Sequence, residues 1–161
     1  MSVLYVDSLQ PNLGSRVMAA GHVVQVVYNQ PTGSGPQVST VTNNVADTAT
    51  GIYADITPTS ATSKILVMLT SNIQHVSTAG SGIIWGMRRD GVAIARNGGT
   101  DYIEYTNVDT NFHTTVNFKY VDAPASTSTL RYELYLSNYG SGYSKVRDWG
   151  TTNIVLMEIA Q

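Results

Sequence analysis

The chain contains no cysteine among its 161 residues. This absence excludes disulfide-stapled scaffolds, catalysis by a thiol and zinc sites built on cysteine. Long apolar stretches are also missing, since no run approaches the roughly 18 residues of a membrane-spanning helix. The chain does not open with a basic segment and an apolar core, as a secretion signal would. We therefore expect neither membrane insertion nor a signal peptide.

Charged residues are scarce as well. Asp, Glu, Lys and Arg make up 12% of the sequence, against about 25% in typical domains. The net charge of −2 lacks the basic excess of a nucleic-acid-binding protein, so we expect no nucleic-acid partner. A surface rich in Ser, Thr, Asn and Gly has little electrostatic protection against association. The composition favours a component of an assembly over a solitary enzyme.

Alternating apolar and polar side chains are the main pattern that is present. The alternation is clear over residues 52–57, 112–120 and 130–137, as in strands with one buried face. Turn-forming residues separate such segments at short intervals, and "RDG" at 89–91 predicts a type I′ hairpin. The pattern predicts an all-β fold, either an antiparallel β-sandwich or a jelly roll.

The chain divides into two predicted parts. Residues 1–20 include Asp7, Gln10, Pro11 and Asn12, and we expect them to form a short extended N-terminal arm. Residues 21–161 show no internal repeat and no break in composition, so we expect a single β-sandwich head domain.

Three predicted strands are apolar on both faces: "HVVQVVY", "KILVML" and "NIVLMEIA". Antiparallel sheets usually leave one face to water, so the second face needs a cover. One cover is a loop or short helix of the same chain, and the other is a set of identical copies around a symmetry axis. Burying an exposed Val, Leu or Ile contributes about 1.5–3 kcal/mol, and several such side chains would offset an association cost of about 4–15 kcal/mol. Self-association is therefore favoured, with contact residues Val23, Val24, Val26, Val27, Leu66, Met68, Val155, Met157 and Ile159.

Residues that could carry catalysis are scattered. His22, His75 and His113 lie far apart in sequence and form no zinc-binding motif. The Gly-Ser-Gly triplets do not fit a nucleophile elbow, and the carboxylates of residues 101–109 do not have EF-hand spacing. We expect no enzymatic activity, no metal site and no cofactor.

A recognition surface has better support. Residues 137–150, "SNYGSGYSKVRDWG", mix aromatic side chains with small, adaptable ones, as binding loops do. Such a loop could stack on a sugar ring and hydrogen-bond its hydroxyl groups. The alternative is that these aromatic rings pack under their own loop or fill a seam between subunits. The candidate receptor or glycan contacts are Tyr102, Tyr105, Tyr139, Tyr143, Arg147 and Trp149.

Five segments together carry a resemblance to a known class of protein. They are "VDSLQPNLGSRV" running into "AAGHVVQVV", then "GIYADITPTSATSKILVMLTSNI", "WGMRRDG", "FKYVDAPASTSTLRYELYL" and "TNIVLMEIA". In their order and spacing, over nearly the whole chain, the sequence resembles the tail-fibre-like and decoration-type β-sandwich virion proteins of tailed bacteriophages, especially phages of aquatic bacteria.

This resemblance implies a function. It implies a virion structural protein assembled in the cytoplasm of the bacterial host, with residues 1–20 docked on other virion proteins and a head that forms a homotrimer. The expected role is a short tail fibre or a tail or baseplate appendage, whose outward loops are a candidate contact with host surface glycan. A capsid decoration (cement) protein and a free-standing carbohydrate-binding lectin are the alternatives.

Overall fold

The structure, a computed structural model, describes residues 20–31, 37–38, 47–77, 80–95, 104–147 and 152–161. Within these ranges all regular secondary structure is β-strand. The strands form two antiparallel sheets, which confirms the predicted all-β sandwich. Apart from Ala20, the predicted arm of residues 1–20 lies outside the described residues.

Eleven strands are present in the described part of the chain. In chain order they are β1 (Val23–Asn29), β2 (Gln37–Val38), β3 (Thr48–Ile56), β4 (Lys64–Ser77), β5 (Ser81–Arg89), β6 (Val92–Ala95), β7 (Glu104–Thr106), β8 (Thr110–Asp122), β9 (Leu130–Tyr139), β10 (Tyr143–Arg147) and β11 (Asn153–Ile159).

The first sheet is built around the long strand β4. Strand β8 pairs with β4 over residues 65–77. Along the other edge of β4, β11 pairs with residues 64–70 and β10 with residues 72–76. Strand β1 continues the sheet beyond β11, and β2 continues it beyond β10. One edge of β4 is therefore paired with β11 in its first half and with β10 in its second half.

The second sheet has the order β3–β9–β5, with β6 and β7 both paired to the outer edge of β5. Between β5 and β6 the chain turns at Asp90 and Gly91, whose φ angles are 50° and 79°. Two consecutive positive φ angles are the requirement of a type I′ turn, which Asp-Gly meets at low cost. The predicted hairpin is confirmed.

The core lies between the sheets. The predicted alternation is confirmed in β3, β8 and β9, where one set of side chains points inward and the other outward. In β9, for example, Tyr132 and Leu134 are fully buried whereas Arg131 is exposed. Across the sandwich, Trp85 packs edge-on against Phe118 with their ring centroids 4.9 Å apart.

Candidate functional site on the outer face of the first sheet

The outer face of the first sheet changes from apolar to polar along the length of strand β4. The inward side chains of β4 include Ile65 and Ile73, which are fully buried in the core. The outward side chains of its first half include Leu66 and Met68, whereas those of its second half include Asn72. The neighbouring strands extend this division, because directly opposed residues of an antiparallel pair point to the same face.

The first half forms a continuous apolar surface over four strands. Met157 and Val155 of β11 stand opposite Leu66 and Met68, and β1 and β8 extend the row on either side. We define the apolar surface as Val23, Val26, Tyr28, Leu66, Met68, Val121, Val155, Met157 and Ile159. Four of these side chains are about half exposed: Val23 (51%), Val26 (54%), Tyr28 (56%) and Val121 (51%).

The apolar surface contains seven of the nine residues proposed from the sequence as contacts. The two others, Val24 and Val27, are half-buried and lie elsewhere. Val27 packs against the core opposite Leu156, and Val24 lines a small cavity at the end of β1.

The register of β1 explains this division. Strict alternation puts Val24 and Val26 on one face and Val23 and Val27 on the other. A shift in register between Val23 and Gln25, of the kind that a β-bulge introduces, brings Val23 and Val26 to the same face instead. Sequence reasoning missed Tyr28 and Val121 because membership of this surface depends on which strands pair.

The second half of the face is polar and hydrogen-bonded across β4 and β8. Thr115 Oγ1 donates to Asn72 Oδ1 over 2.7 Å, and Gln74 Nε2 donates to Asn111 Oδ1 over 2.8 Å. Strand β10 lies on the other side of β4 from these side-chain hydrogen bonds, with Lys145 opposite Gln74. We define the polar surface as Asn72, Gln74, Asn111, His113, Thr115, Asn117, Tyr143, Lys145 and Arg147.

The tyrosines proposed for glycan contact do not form one patch. Tyr105 and Tyr139 both stand opposite Gly82 on the second sheet, and their ring centroids are 6.4 Å apart. Tyr143 and Arg147 belong to β10 of the first sheet, on the other side of the sandwich. The structure thus brings together Tyr105 with Tyr139, whereas Tyr143 and Arg147 lie at opposite ends of β10. Tyr102 and Trp149 lie outside the described residues.

A buried cluster around His75 joins the two sheets beneath the second half of β4. His75 is fully buried, with Nδ1 2.8 Å from Ser144 Oγ and Nε2 2.9 Å from Ser81 Oγ. Ser144 Oγ also donates to Asn138 Oδ1 over 3.1 Å. Burial lowers the pKa of His75. A Ser–His pair can act in nucleophilic catalysis, but all four side chains are fully buried, and we assign the cluster a structural role.

Two buried carboxylates are held by donors from neighbouring elements. Asp122 Oδ2 accepts from Arg89 Nη1 over 2.6 Å and from Tyr132 Oη over 2.7 Å. Burial, followed by the hydrogen bond to Asp122, raises the pKa of Tyr132. Glu158, the acid within the apolar strand β11, accepts from Gln25 Nε2 and from the backbone and hydroxyl of Thr59, over 2.7–2.8 Å. These contacts tie strands together across the rim of the sandwich.

Among the described residues, no three His, Asp or Glu side chains are grouped closely enough to hold a metal ion. Within those residues there is also no helix with the length and apolar character needed to cross a membrane.

Comparison with known proteins adds information on the fold. The sequence matches no protein-family model and, with significance, no curated protein. The structure is similar to the chain in the structure of infectious bursal disease virus, Gt strain, with a TM-score of 0.50 and 10% identity, covering 98% of this chain and 42% of that chain. The likeness is one of fold.

Two further solved structures are similar at lower scores. For the VP2 subviral particle of infectious bursal disease virus the TM-score is 0.48 and the identity 14%, covering 98% of this chain and 37% of that chain. For the Eiger TNF of S. frugiperda the values are 0.43 and 10%, covering 87% of this chain and 95% of that chain. The chain therefore spans less than half of the two viral chains that it resembles.

Proposed function

We propose that the chain is a non-enzymatic structural protein of a bacteriophage virion, a short tail fibre or a tail or baseplate appendage that self-associates through the apolar surface. The apolar surface is the observation that carries this proposal, because it joins half-exposed Val23, Val26 and Val121 into one face. The sequence resemblance to phage virion proteins supports the viral context. The sandwich fold shared with a chain of a virus structure is compatible with it.

The energetics favour burial of this surface against further copies. Transfer of a half-exposed Val or Tyr side chain out of water contributes about half of the usual 1.5–3 kcal/mol. The four half-exposed members would then supply about 3–6 kcal/mol per subunit, which is comparable with the cost of association, about 4–15 kcal/mol. The half-buried members would add to this gain.

Two lysines beside the apolar surface affect how copies of the chain can associate through it. Lys64 stands opposite Ile159 and Lys119 opposite Met68, so a face-to-face dimer would place these lysines of both copies in or beside one contact. In a cyclic arrangement, in which the face of one subunit meets a different part of the next, each contact holds these lysines from one copy only. We propose three copies, as the sequence resemblance implies, with residues 1–20 bound to other virion proteins.

Labelling of intact particles tests the location. Antibody fragments against the purified protein, imaged by electron microscopy on phage particles, are expected to mark the tail. Labels spread over the head would replace this role with capsid decoration. Particles without any label, together with glycan binding by the free protein, would contradict the virion assignment and favour a free-standing lectin.

A further inference from the structure

The charged residues of the described chain are unevenly distributed between its faces. All three lysines of the sequence, together with Arg147, point outward from the first sheet. In the same described strands, the acids Asp122 and Glu158 point inward and are buried. The outer face of the first sheet therefore carries only positive charge among the described residues, although the whole chain has a net charge of −2.

The two cations of β10 are available to a ligand. Arg89 is paired with Asp122 and Arg131 with Asp55, and among the described residues neither Lys145 nor Arg147 belongs to these ion pairs. Lys145 Nζ lies 5.5 Å from the ring centroid of Tyr143, where an ammonium is attracted by the ring face. This contact holds an aromatic surface and a positive charge side by side on the polar surface.

Two polar atoms of the same surface have no hydrogen-bond partner among the residues that the structure describes. Gln74 Oε1 and Arg147 Nε are both shielded from solvent and unsatisfied, and the Gln74 side chain is only 5% exposed. Such atoms are rare in folded proteins because they lose their hydrogen bonds to water without a replacement. One is an acceptor and the other a donor, and their residues lie on the paired strands β4 and β10. Because both atoms are shielded from solvent, neighbouring side chains must first turn aside; a ligand that offers both a donor and an acceptor would then satisfy them.

We propose that the polar surface binds an anionic polysaccharide. Sugar hydroxyl groups both donate and accept, which suits Gln74 and Arg147, and a carboxylate or sulfate group would pair with Arg147 and Lys145. The Tyr143 ring would stack on a sugar. The Asn72–Thr115 and Gln74–Asn111 hydrogen bonds start two residues apart on β4, about 6.8 Å, and this row of polar groups suits a linear polymer.

Single-stranded nucleic acid is the other anionic polymer that this surface could meet. Proteins that bind it stack successive bases on several aromatic rings, whereas the described polar surface offers the phenol ring of Tyr143 and the smaller imidazole of His113. The hydroxyl and amide groups of the polar surface fit sugars better than bases, so we favour polysaccharide. The binding of an anionic polysaccharide does not depend on the proposed function. Only the origin of that polysaccharide, the host surface, rests on it.

Binding can be measured by affinity electrophoresis in gels that contain polygalacturonate, heparin or neutral dextran, with a labelled single-stranded oligonucleotide measured separately. We expect the full-length protein to bind polygalacturonate or heparin and not dextran. Replacing the two cations (K145A/R147A) is expected to weaken binding by about tenfold or more, since a hydrogen bond to a charged group is worth a factor of this order. Gln74→Met is expected to weaken it severalfold at unchanged charge.

A control variant separates a site from general attraction by charge. K64A/R88A removes the same two charges but leaves the polar surface intact, and we expect its binding to change less than about twofold. If K145A/R147A fails to fold, Lys145→Gln replaces it, with the sedimentation coefficient and circular dichroism spectrum as the folding check.

Four outcomes would overturn the inference: no binding to either acidic polymer, equal binding to dextran, equal losses in variant and control, or tighter binding to the oligonucleotide. None of these outcomes bears on virion location or on self-association. The results of particle labelling and the oligomeric state do not depend on the polar surface. Failure of the inference and failure of the proposed function are therefore distinguishable.

Discussion

At the residue scale, His75 shows how burial converts a titratable side chain into a structural one. Its ring is enclosed between the sheets by Ser144 and Ser81 and lies edge-on to Phe112. Burial lowers the pKa of His75 below its ordinary value of 6.5. The folded chain thus keeps this imidazole neutral at pH values where the unfolded chain already binds a proton.

This difference predicts a pH dependence of stability. The free energy of unfolding should fall as the pH drops below about 6.5 toward the folded pKa, because protons bind the unfolded state more tightly in that window. Urea unfolding between pH 8 and pH 5 measures it. His75→Gln should flatten the dependence and lower stability at pH 8 by about 1–3 kcal/mol. Equal slopes in the variant and the wild type would refute the assignment.

The buried carboxylate of Glu158 titrates in a different pH window. Hydrogen bonds from Gln25, Ser63 and Thr59 outweigh burial and keep the pKa of Glu158 below its ordinary value of 4.5. Its contribution to stability is present above pH 4.5 and is lost as the pH falls through the folded pKa. The His75 effect can therefore be observed separately.

The Asp122 contacts give a second prediction at this scale. Asp122→Asn leaves Arg89 without its carboxylate, and their side chains are 10% and 27% exposed, so we expect a loss of about 2–3 kcal/mol in unfolding free energy. Asp55→Asn removes the acid of the solvent-exposed pair with Arg131 and should cost much less. Thermal unfolding of both variants at pH 7 compares them. Similar losses would mean that the partial burial of the Asp122 pair is unimportant.

At the scale of elements, the turn between β9 and β10 carries the chain from one sheet to the other. Gly140 in this turn has φ = 76°, and a Cβ atom there would lie 2.5 Å from the carbonyl oxygen of Gly80. Gly91 in the β5–β6 hairpin has a similar φ of 79° but open space around it. The two glycines differ in crowding and not in conformation.

Alanine substitution should separate these two effects. Gly91→Ala is expected to cost about 1 kcal/mol, the strain of a left-handed residue with a side chain. Gly140→Ala adds a clash with backbone and should cost more than about 2 kcal/mol. Urea midpoints of the two variants test the difference, and an equal loss would show that the β9–β10 turn can move aside.

At the scale of the whole molecule, the apolar surface predicts the state of association. Sedimentation equilibrium of the wild type should give the mass of three chains. Val26→Glu places a charge in the middle of the proposed contact, and because burial of an unpaired charge costs several kcal/mol, the variant should sediment as a single chain. Val92→Glu changes an equally apolar residue, 66% exposed in β6 of the second sheet, and should remain associated. A wild type that sediments as a monomer would remove the basis of the proposed assembly.

Much of the fold was predictable because local patterns determine it. The alternation in residues 130–137 predicted the inward and outward faces of β9, and the Asp-Gly pair predicted the β5–β6 turn. The two-sided apolar character of "KILVML" and "NIVLMEIA" also indicated which outward side chains would need a cover. Each of these features depends on residues that are close in sequence.

Tertiary structure alone decided which side chains meet. Tyr139 and Tyr143 are four residues apart, yet they lie on opposite sides of the sandwich because the chain changes sheets between them. Gln74 and Lys145 are distant in sequence, yet they are paired neighbours on the polar surface. The period of a strand fixes which residues share its faces, but pairing between strands is a long-range contact that leaves no local signal. The sequence by itself therefore determined the strands and their apolar faces, whereas the pairing of β4 with β8, β10 and β11 decided the composition of both surfaces.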